Sequence, residues 1–249
     1  RGGVSEYGLV TAFRDTIQVA EMVIGGVQKF STVDDPGYVV AGLFTVGCNM
    51  RCGYCHNPEL VLPEQYAGGI PEDEIFEFLE SRRGKLDGVF ISGGEPTMHD
   101  DLPDLIRRCK NMGFRVKLDT NGTHPDMLRD ILAEGLVDFI AMDIKGPLSK
   151  YSQIAARPVN LDAIKESIRL IKTIDHEFRT TIVKGQLEVD DFEAVGELVD
   201  GAQRFALQYF LTGPTLVSPQ FRDRVSFSPD EMEQAKQIML RHVAECVVR

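Results

Sequence analysis

The sequence has no apolar run long enough to cross a membrane as a helix, which takes roughly 20 residues. Its longest apolar stretch, from Tyr38 to Cys48, is interrupted by two glycines. The sequence also shows neither a signal peptide nor a segment with the composition of an interdomain linker. A chain of 249 residues can nevertheless bury a substantial core. These absences predict a cytoplasmic protein that does not insert into a membrane.

Positive charge is also scarce. The 27 Lys and Arg residues are outnumbered by 38 Asp and Glu residues, which gives a formal net charge of −11 at pH 7. A surface with this excess of negative charge repels polyanions and lacks the basic patch that nucleic-acid binding needs. The composition therefore disfavours DNA or RNA as a partner.

Cysteine is rare, and its distribution argues against a structural zinc site. Cys48, Cys52 and Cys55 form a C-x3-C-x2-C run, whereas Cys109 and Cys246 stand alone on the apolar faces of predicted helices. A closed zinc site usually takes four ligands from two Cys or His pairs, and the sequence has no second pair. His56 adjoins the run too closely to complete such a site. Because no signal peptide is seen, a disulfide framework is disfavoured as well.

Three thiolates on one tight loop suit a cubane [4Fe–4S] cluster. Such a cluster normally takes four cysteine ligands, so three of them leave one iron open. Neither isolated cysteine is placed to supply the fourth ligand, and residues 56–108 contain no cysteine for a second cluster. The sequence therefore predicts one cluster per chain, with an open iron that serves chemistry rather than electron storage.

Short apolar segments alternate with segments of helical period, which is the pattern of repeated βα units around a parallel sheet. The six predicted strands are Val39–Val46, Gly88–Ser92, Phe114–Asp119, Val137–Asp143, Arg179–Lys184 and Phe205–Leu211. The six predicted helices are Pro71–Arg83, Leu102–Met112, Pro125–Glu134, Leu161–Thr173, Asp190–Ala202 and Pro229–Cys246. We therefore expect an α/β fold, a partial (βα)6 barrel with a parallel sheet inside, helices outside and a lateral opening.

Polar motifs follow the first four predicted strands. In chain order they are Gly47-Cys48, Gly93-Gly94-Glu95-Pro96, Asp119-Thr120-Asn121-Gly122 and Asp143-Ile144-Lys145. The active site of an α/β barrel forms at the carboxyl ends of its strands, so these motifs should meet at one rim. Paired glycines let a backbone approach a ligand closely, and Glu95 can pair with an ammonium group. Taken singly, the last three motifs could also be a Gly-Gly turn, an Asn-Gly turn and a surface ion pair.

The cysteine run, with Tyr54 just before its third cysteine, resembles the signature of radical S-adenosylmethionine (SAM) enzymes. The resemblance implies that the amino-acid end of SAM occupies the open iron. It also implies that an electron from the cluster cleaves SAM to a 5′-deoxyadenosyl radical. The partial barrel is that family's fold. Cofactor contacts are implied for Tyr54, His56 and the Gly93-Gly94-Glu95 segment, which binds the amino group of SAM.

Within that family, the chain is similar to the activases of glycyl radical enzymes. Their LDTNG and D-x-K segments match residues 118–122 and 143–145. The match implies that Asp143 and Lys145 contact SAM, and that Asp119 and Asp143 shape the pocket and hold a monovalent cation. Arg179 resembles a family arginine near the ribose or carboxylate of SAM. A salt bridge in the barrel wall would explain that arginine equally well.

Residues 25–37 resemble the activase segment that ends in an acidic residue and Pro-Gly. The resemblance implies that Asp34, or Asp35 as the alternate, helps to position the substrate glycine loop, although an ordinary Asp-Pro-Gly turn would also explain these residues. Pyruvate formate-lyase activases carry a histidine near SAM, in a stretch where this chain reads Leu207-Gln208-Tyr209-Phe210 and has Gln208 instead. The likeness over residues 25–213 therefore favours the activating proteins of anaerobic ribonucleoside-triphosphate reductase.

These resemblances predict an iron–sulfur oxidoreductase that takes an electron from flavodoxin or ferredoxin and installs a glycyl radical on that reductase. The predicted domain spans residues 24–249, after an N-terminal extension of residues 1–23. That extension, together with Ile24, has a weak helical stripe, formed by Ile17, Ala20, Val23 and Ile24. The alternatives are an activase of pyruvate formate-lyase or another glycyl radical enzyme, a radical SAM enzyme for a small molecule, and a non-enzymatic iron–sulfur electron-transfer protein.

Overall fold

A single mixed sheet of eight strands forms the centre of the protein in a computed structural model, which describes residues 22–249. The strands are β1 (Ile24–Ser31), β2 (Val40–Thr45), β3 (Gly88–Gly93), β4 (Arg115–Thr120), β5 (Phe139–Asp143), β6 (His176–Ile182), β7 (Arg204–Tyr209) and β8 (Glu245–Val248). Strands pair in chain order, with β1 antiparallel to β2 and the other pairs parallel. Because this order begins at β1 and ends at β8, the sheet is an open, partial barrel, as predicted.

Helices lie in the connections between the parallel strands, as βα units require. They are α1 (Pro58–Val61), α2 (Glu72–Ser81), α3 (Leu102–Asn111), α4 (Pro125–Ala133), α5 (Tyr151–Ala155), α6 (Leu161–Ile171), α7 (Asp191–Leu198) and α8 (Pro229–Met239). The predicted apolar stripe of α3 is buried through Leu105, Ile106 and Cys109. Cys109 is therefore a core residue, as its spacing indicates.

Local sequence fixes where two of these helices begin. The side chain of Asn160 caps α6 by accepting hydrogen bonds from the N–H groups of Asp162 and Ala163. Ser228 and Glu231 form a capping box at the start of α8. Since helix starts and strand ends share one rim in a βα repeat, these caps help to hold the loops of the rim where the polar motifs lie.

The sequence patterns missed two strands, β1 and β8. The predicted helix that runs to Cys246 is wrong beyond Met239, because Cys246 lies on β8, where its side chain is buried. Residues 204–207 of β7 pair with residues 245–248, and this long-range pairing leaves no helical or alternating signature in so short a segment. The fifth predicted strand also begins earlier, at His176.

The predicted N-terminal extension falls almost entirely outside the described residues, and its boundary stays a prediction. Ile17 and Ala20 of its proposed helical stripe are not described, whereas Ile24 is the first residue of β1. The stripe therefore does not continue through Ile24. Across residues 22–249, no helix has both the length and the apolar character needed to cross a membrane.

Candidate active site

One cavity of about 650 Å³ lies at the carboxyl ends of the parallel strands. Twelve of the site residues predicted from the sequence line it: Cys48, Cys52, Tyr54, Cys55, His56, Gly93, Gly94, Glu95, Asp119, Asp143, Lys145 and Arg179. They come from the ends of β2 to β6 and the loops that follow these strands. The structure thus brings these residues to one place, while the role of each stays a prediction.

The cysteine loop follows β2 and is held by backbone hydrogen bonds. Gly47 N–H donates to the carbonyl of Leu60 at 2.8 Å, and Arg51 N–H donates to the carbonyl of Ala155 at 2.8 Å. Gly47 has a φ of +105°, a backbone conformation that strongly favours glycine. The loop therefore leaves the strand sharply at Gly47 and carries its three thiols along one wall of the cavity.

The three thiols lie in an environment that favours their neutral form. Burial raises the pKa of Cys48 to about 12, although a hydrogen bond from the N–H of Met50 opposes this shift. Burial is also the main cause of the raised pKa values of Cys52 and Cys55. Metal ligation requires thiolates, so a cluster that binds here must displace three protons.

The donor set fits a cubane cluster better than a mononuclear metal site. Among residues 22–249, no three Cys, His, Asp or Glu side chains converge as ligands of one metal ion. A [4Fe–4S] cluster does not need such convergence, because each thiolate binds a different iron. Three thiols around an open cavity are therefore compatible with a cubane that has one iron free for another ligand.

Gly93 and Gly94 allow their own backbone to pack directly against the backbone of Thr45 and Gly47. A Cβ atom at Gly94 would lie 1.9 Å from the carbonyl oxygen of Gly47, and one at Gly93 would lie 2.3 Å from the nitrogen of Thr45. The N–H of Glu95 donates to the same Gly47 carbonyl at 2.7 Å. The two glycines therefore join the loop of Cys48 to the loop of Glu95, and their close approach to a ligand stays a prediction.

We expect Gly94→Ala to lower the free energy of unfolding by about 1–3 kcal/mol, because the added methyl group meets rigid backbone. The loop shift should also lower iron uptake during anaerobic reconstitution. Gly68→Ala is the matched control, since a Cβ atom there has no neighbour within 4 Å. Urea unfolding followed by circular dichroism suits a chain without tryptophan. Equal stabilities of the two variants would show that the contact is not restrictive.

Glu95 is the centre of a buried hydrogen-bond network and is 1% exposed. Its Oε1 accepts from the N–H and hydroxyl of Thr97 and from the Thr120 hydroxyl at 2.7 Å, and its Oε2 accepts from the N–H of Asn121 at 2.6 Å. Oε1 is crowded by three donors that share its lone pairs, whereas Oε2 has one donor for its two lone pairs. Oε2 therefore retains one acceptor site, which an ammonium group in the cavity could use.

A chain of buried charges runs across the barrel interior. The guanidinium of Arg179 donates from Nε to Asp143 at 2.5 Å and from its terminal nitrogen to Asp119 at 3.1 Å. Lys117 lies 3.3 Å from the other oxygen of Asp119, and Lys145 lies 3.2 Å from the other oxygen of Asp143. The order is thus Lys117, Asp119, Arg179, Asp143, Lys145. Arg179 forms the wall salt bridge considered from the sequence, and its contact with SAM stays a prediction.

Opposite charges keep the two carboxyls and Lys145 ionised despite the burial that opposes their charge. Burial opposes the charge of Asp143, but Arg179 and Lys145 outweigh burial and lower the pKa of that carboxyl below its ordinary value of 3.8. The pKa of Asp119 is lowered in the same way, against burial, by Arg179 and Lys117. Burial likewise works against the cation of Lys145, and Asp143 holds its pKa well above the usual value. The cavity is therefore lined by fixed charges of both signs.

Asp34 and Asp35 do not lie at the cavity. Their turn precedes β2 and therefore lies at the amino-terminal end of the sheet, opposite the cysteine loop. Asp35 is 2% exposed and accepts a hydrogen bond at 2.8 Å from Nε of Arg115, the first residue of β4. Asp34 accepts from the Ser31 hydroxyl at 2.5 Å. The positioning of a substrate loop by either residue stays a prediction.

Sequence reasoning missed a segment, residues 211–221, that covers the cysteine loop. The N–H groups of Val217 and Ser218 donate to the carbonyls of Cys55 and Gly53 at 2.9 and 3.0 Å. Nε2 of His56 lies 2.5 Å from the carbonyl oxygen of Leu211. His56 is thus engaged with this segment. No motif marks the segment, because these main-chain hydrogen bonds use groups that every residue carries.

Comparisons with known proteins agree with this geometry. Residues 43–199 match the family model of the radical SAM superfamily. A protein of Methanocaldococcus jannaschii, provisionally named as a glycyl-radical enzyme activating enzyme, is 30% identical over 236 residues, which cover 91% of this chain and 95% of that protein. The pyruvate formate-lyase 1-activating enzyme of Escherichia coli is 34% identical over 132 residues, which cover 49% of this chain and 53% of that enzyme.

The fold also has counterparts among solved structures. Coproporphyrinogen III oxidase from Escherichia coli, a radical SAM enzyme, superposes with a TM-score of 0.56 at 15% sequence identity. The superposition covers 79% of this chain and 50% of that one, and it concerns the fold alone. The family match over more than half of the chain, together with the relative of Methanocaldococcus jannaschii, establishes the family. The chain is an enzyme of the radical SAM superfamily.

Proposed function

We propose that this enzyme activates a glycyl radical enzyme by removing a hydrogen atom from the Cα of one glycine of its partner. The observation that carries the proposal is the cavity at the strand ends, where three thiols, the glycine-joined loop of Glu95 and the charged pair Asp143 and Lys145 meet. The likeness to the Methanocaldococcus jannaschii protein, which extends over nearly the full length of both chains, supports this reaction among those of the superfamily.

The residues present fit both cofactors of such an enzyme. Cys48, Cys52 and Cys55 would hold a [4Fe–4S] cluster, and the free acceptor site of Glu95 would receive the SAM ammonium. When bound, the reduced cluster and SAM supply the radical that takes the glycine hydrogen. Two further side chains line the cavity: Lys145 with its ammonium group and Tyr54 with its aromatic ring. The monovalent cation is proposed from the resemblance alone, because Oδ1 of Asp119, which accepts no hydrogen bond, already lies 3.3 Å from the Lys117 ammonium.

We propose anaerobic ribonucleoside-triphosphate reductase as the partner, with flavodoxin or ferredoxin as the electron donor. Gln208 lines the cavity at the position where the resemblance to pyruvate formate-lyase activases requires a histidine. A neutral amide cannot exchange a proton near pH 7 as an imidazole can. This difference at the cavity wall favours the reductase over pyruvate formate-lyase.

A purely electron-transferring iron–sulfur protein is a poorer explanation. Electron transfer needs a cluster near the surface and no further pocket. Here the thiols share a cavity of about 650 Å³ with an array of fixed charges. Taking charged side chains out of water costs free energy, and such a cost is reasonable at the wall of a pocket that binds a charged ligand.

The partner is tested by mixing the reconstituted enzyme, SAM and a reductant with each of two candidate partners from the same organism. We expect a glycyl doublet in the electron paramagnetic resonance spectrum with the anaerobic reductase and none with a pyruvate formate-lyase-type enzyme. A doublet only with the second partner would replace the proposed substrate. The absence of a doublet with both, while SAM is still cleaved, would overturn the proposed partner and leave a radical SAM enzyme that acts on a different substrate.

A further inference from the structure

Three polar side chains form a closed ring of hydrogen bonds beside the candidate cluster site. The side-chain amide of Asn121 donates to Oδ1 of Asn49 at 2.8 Å, and the amide of Asn49 donates to the Thr123 hydroxyl at 2.8 Å. That hydroxyl donates to Oδ1 of Asn121 at 2.6 Å, which closes the ring. Each of the three side chains therefore gives one hydrogen bond to the next and receives one from the previous member.

The direction of the ring follows from its protons. Two oxygens 2.6 Å apart need a proton between them, and of the Thr123 hydroxyl and Asn121 Oδ1 only the hydroxyl has one. Nδ1 of His124 lies 2.9 Å from the same hydroxyl oxygen, so His124 must donate there rather than accept. Every member of the ring is thus fixed in orientation by a neighbour.

The ring joins the two halves of the candidate cofactor site. Asn49 follows Cys48 in a loop without regular secondary structure. On the other side, the N–H of Asn121 and the hydroxyl of Thr120 both donate to the carboxylate of Glu95. The ring therefore links the cysteine loop to the residues that hold Glu95, and a displacement of the cysteine loop relative to Glu95 would break the ring.

We propose that Asn49, Asn121 and Thr123 are positioning residues that hold Cys48 in register with Glu95. The inference rests on the proposed use of these two residues for the cluster and for the SAM ammonium. Asn121 lines the cavity, whereas Asn49 and Thr123 do not, so any effect of these two on a cofactor passes through the rest of the ring. The effect of the ring is indirect. SAM would have to contact the open iron and the Glu95 carboxylate at the same time, so it binds well only if the distance between these two groups is fixed.

The test uses anaerobically reconstituted Asn49→Ala, Thr123→Val and Thr123→Ser, with the wild type and the double variant Asn49→Ala/Thr123→Val. Thr123→Val keeps the side-chain shape without the hydroxyl, whereas Thr123→Ser keeps the hydroxyl. Each variant is examined for iron content, for the Kd of SAM by calorimetry, and for the SAM-induced change in the spectrum of the reduced cluster. Circular dichroism checks that each variant is folded.

We expect Asn49→Ala and Thr123→Val to retain the cluster but to weaken SAM binding about tenfold, the effect of one lost hydrogen bond at the upper end of its range. Thr123→Ser should resemble the wild type. Either single substitution already breaks the ring, so the second substitution should have no further effect. The double variant should therefore lose about tenfold in SAM affinity, whereas two independent sites would lose roughly a hundredfold. A smaller SAM-induced spectral change should accompany each loss.

Wild-type affinity in both single variants, or losses that multiply in the double variant, would overturn the ring as a positioning device. A wild-type protein that binds no SAM would instead reject the proposed function. In that case the positioning role of the ring is tested by measuring the rate at which a chelator removes the cluster from each variant. Faster loss from Thr123→Val than from Thr123→Ser would support it, and equal rates would overturn it.

Discussion

Cys52→Ala, reconstituted anaerobically with iron and sulfide, is expected to hold no [4Fe–4S] cluster and to leave SAM intact, whereas the wild type takes up about four irons per chain. The reason is the number of thiols. Cys48, Cys52 and Cys55 are the three cysteines at the cavity, and Cys109 and Cys246 are buried on α3 and β8. Two remaining thiolates would leave two irons without protein ligands.

Cys109→Ala is the matched control, since it also removes a buried thiol. Cys109 packs among the apolar residues of α3, so this variant should lose some stability but keep its irons. Iron analysis and electron paramagnetic resonance on the three proteins give the result. An intact cluster in Cys52→Ala, or stoichiometric zinc in the wild type, would contradict the assignment of the thiols.

Arg179→Leu is expected to lower the free energy of unfolding by about 3–5 kcal/mol, because it leaves the buried carboxylate of Asp119 and the partly buried one of Asp143 without their shared partner. Arg179 bridges Asp119 and Asp143 inside the barrel. Arg107→Leu is the matched control, since Arg107 also bridges two carboxylates, Asp104 and Glu134, but on the surface. Exposed pairs contribute little, so the control should change stability only slightly.

The effect of Arg179→Leu should depend on pH in a defined direction. The pKa of Asp143 is lowered in the folded protein, so its ionised form stabilises the wild type above the ordinary value of 3.8, and this stabilisation is lost as pH falls through the lowered pKa. Without Arg179, the ionised form of Asp143 loses the larger part of this stabilisation, since only Lys145 remains as its cationic partner. Urea unfolding should therefore show a large difference between wild type and variant at pH 7 that shrinks below pH 4. A difference that stays constant down to acidic pH would show that lost packing, rather than charge, causes the effect.

The fold could be predicted from the sequence wherever a βα unit repeats. Strands such as β3 and β5 are short apolar runs, and helices such as α3 carry an apolar stripe at helical spacing. β1 and β8 lack these signals, because each depends on pairing with one neighbour at an edge of the sheet. Val243 and Cys246 continue the spacing of α8 by coincidence, and only the pairing with β7 shows that the helix has ended.

The candidate site was predictable as a set of residues but not as a set of contacts. Topology brings the carboxyl ends of parallel strands to one rim, and so the sequence motifs at those ends had to meet. It does not reveal that Gly94 faces the backbone of Gly47, that Arg179 is shared by two carboxylates, or that residues 211–221 cover the cysteine loop. These contacts depend on the relative height of neighbouring loops, which only three-dimensional packing determines.

The most direct measurement is the fate of SAM on the reconstituted wild-type protein under a strong reductant without oxygen. A radical SAM enzyme with its cluster at Cys48, Cys52 and Cys55 releases methionine and 5′-deoxyadenosine in equal amounts, and Cys52→Ala releases neither. If the protein carries a complete four-iron cluster that accepts an electron, yet leaves SAM uncleaved, the cavity described above is not a site of SAM chemistry.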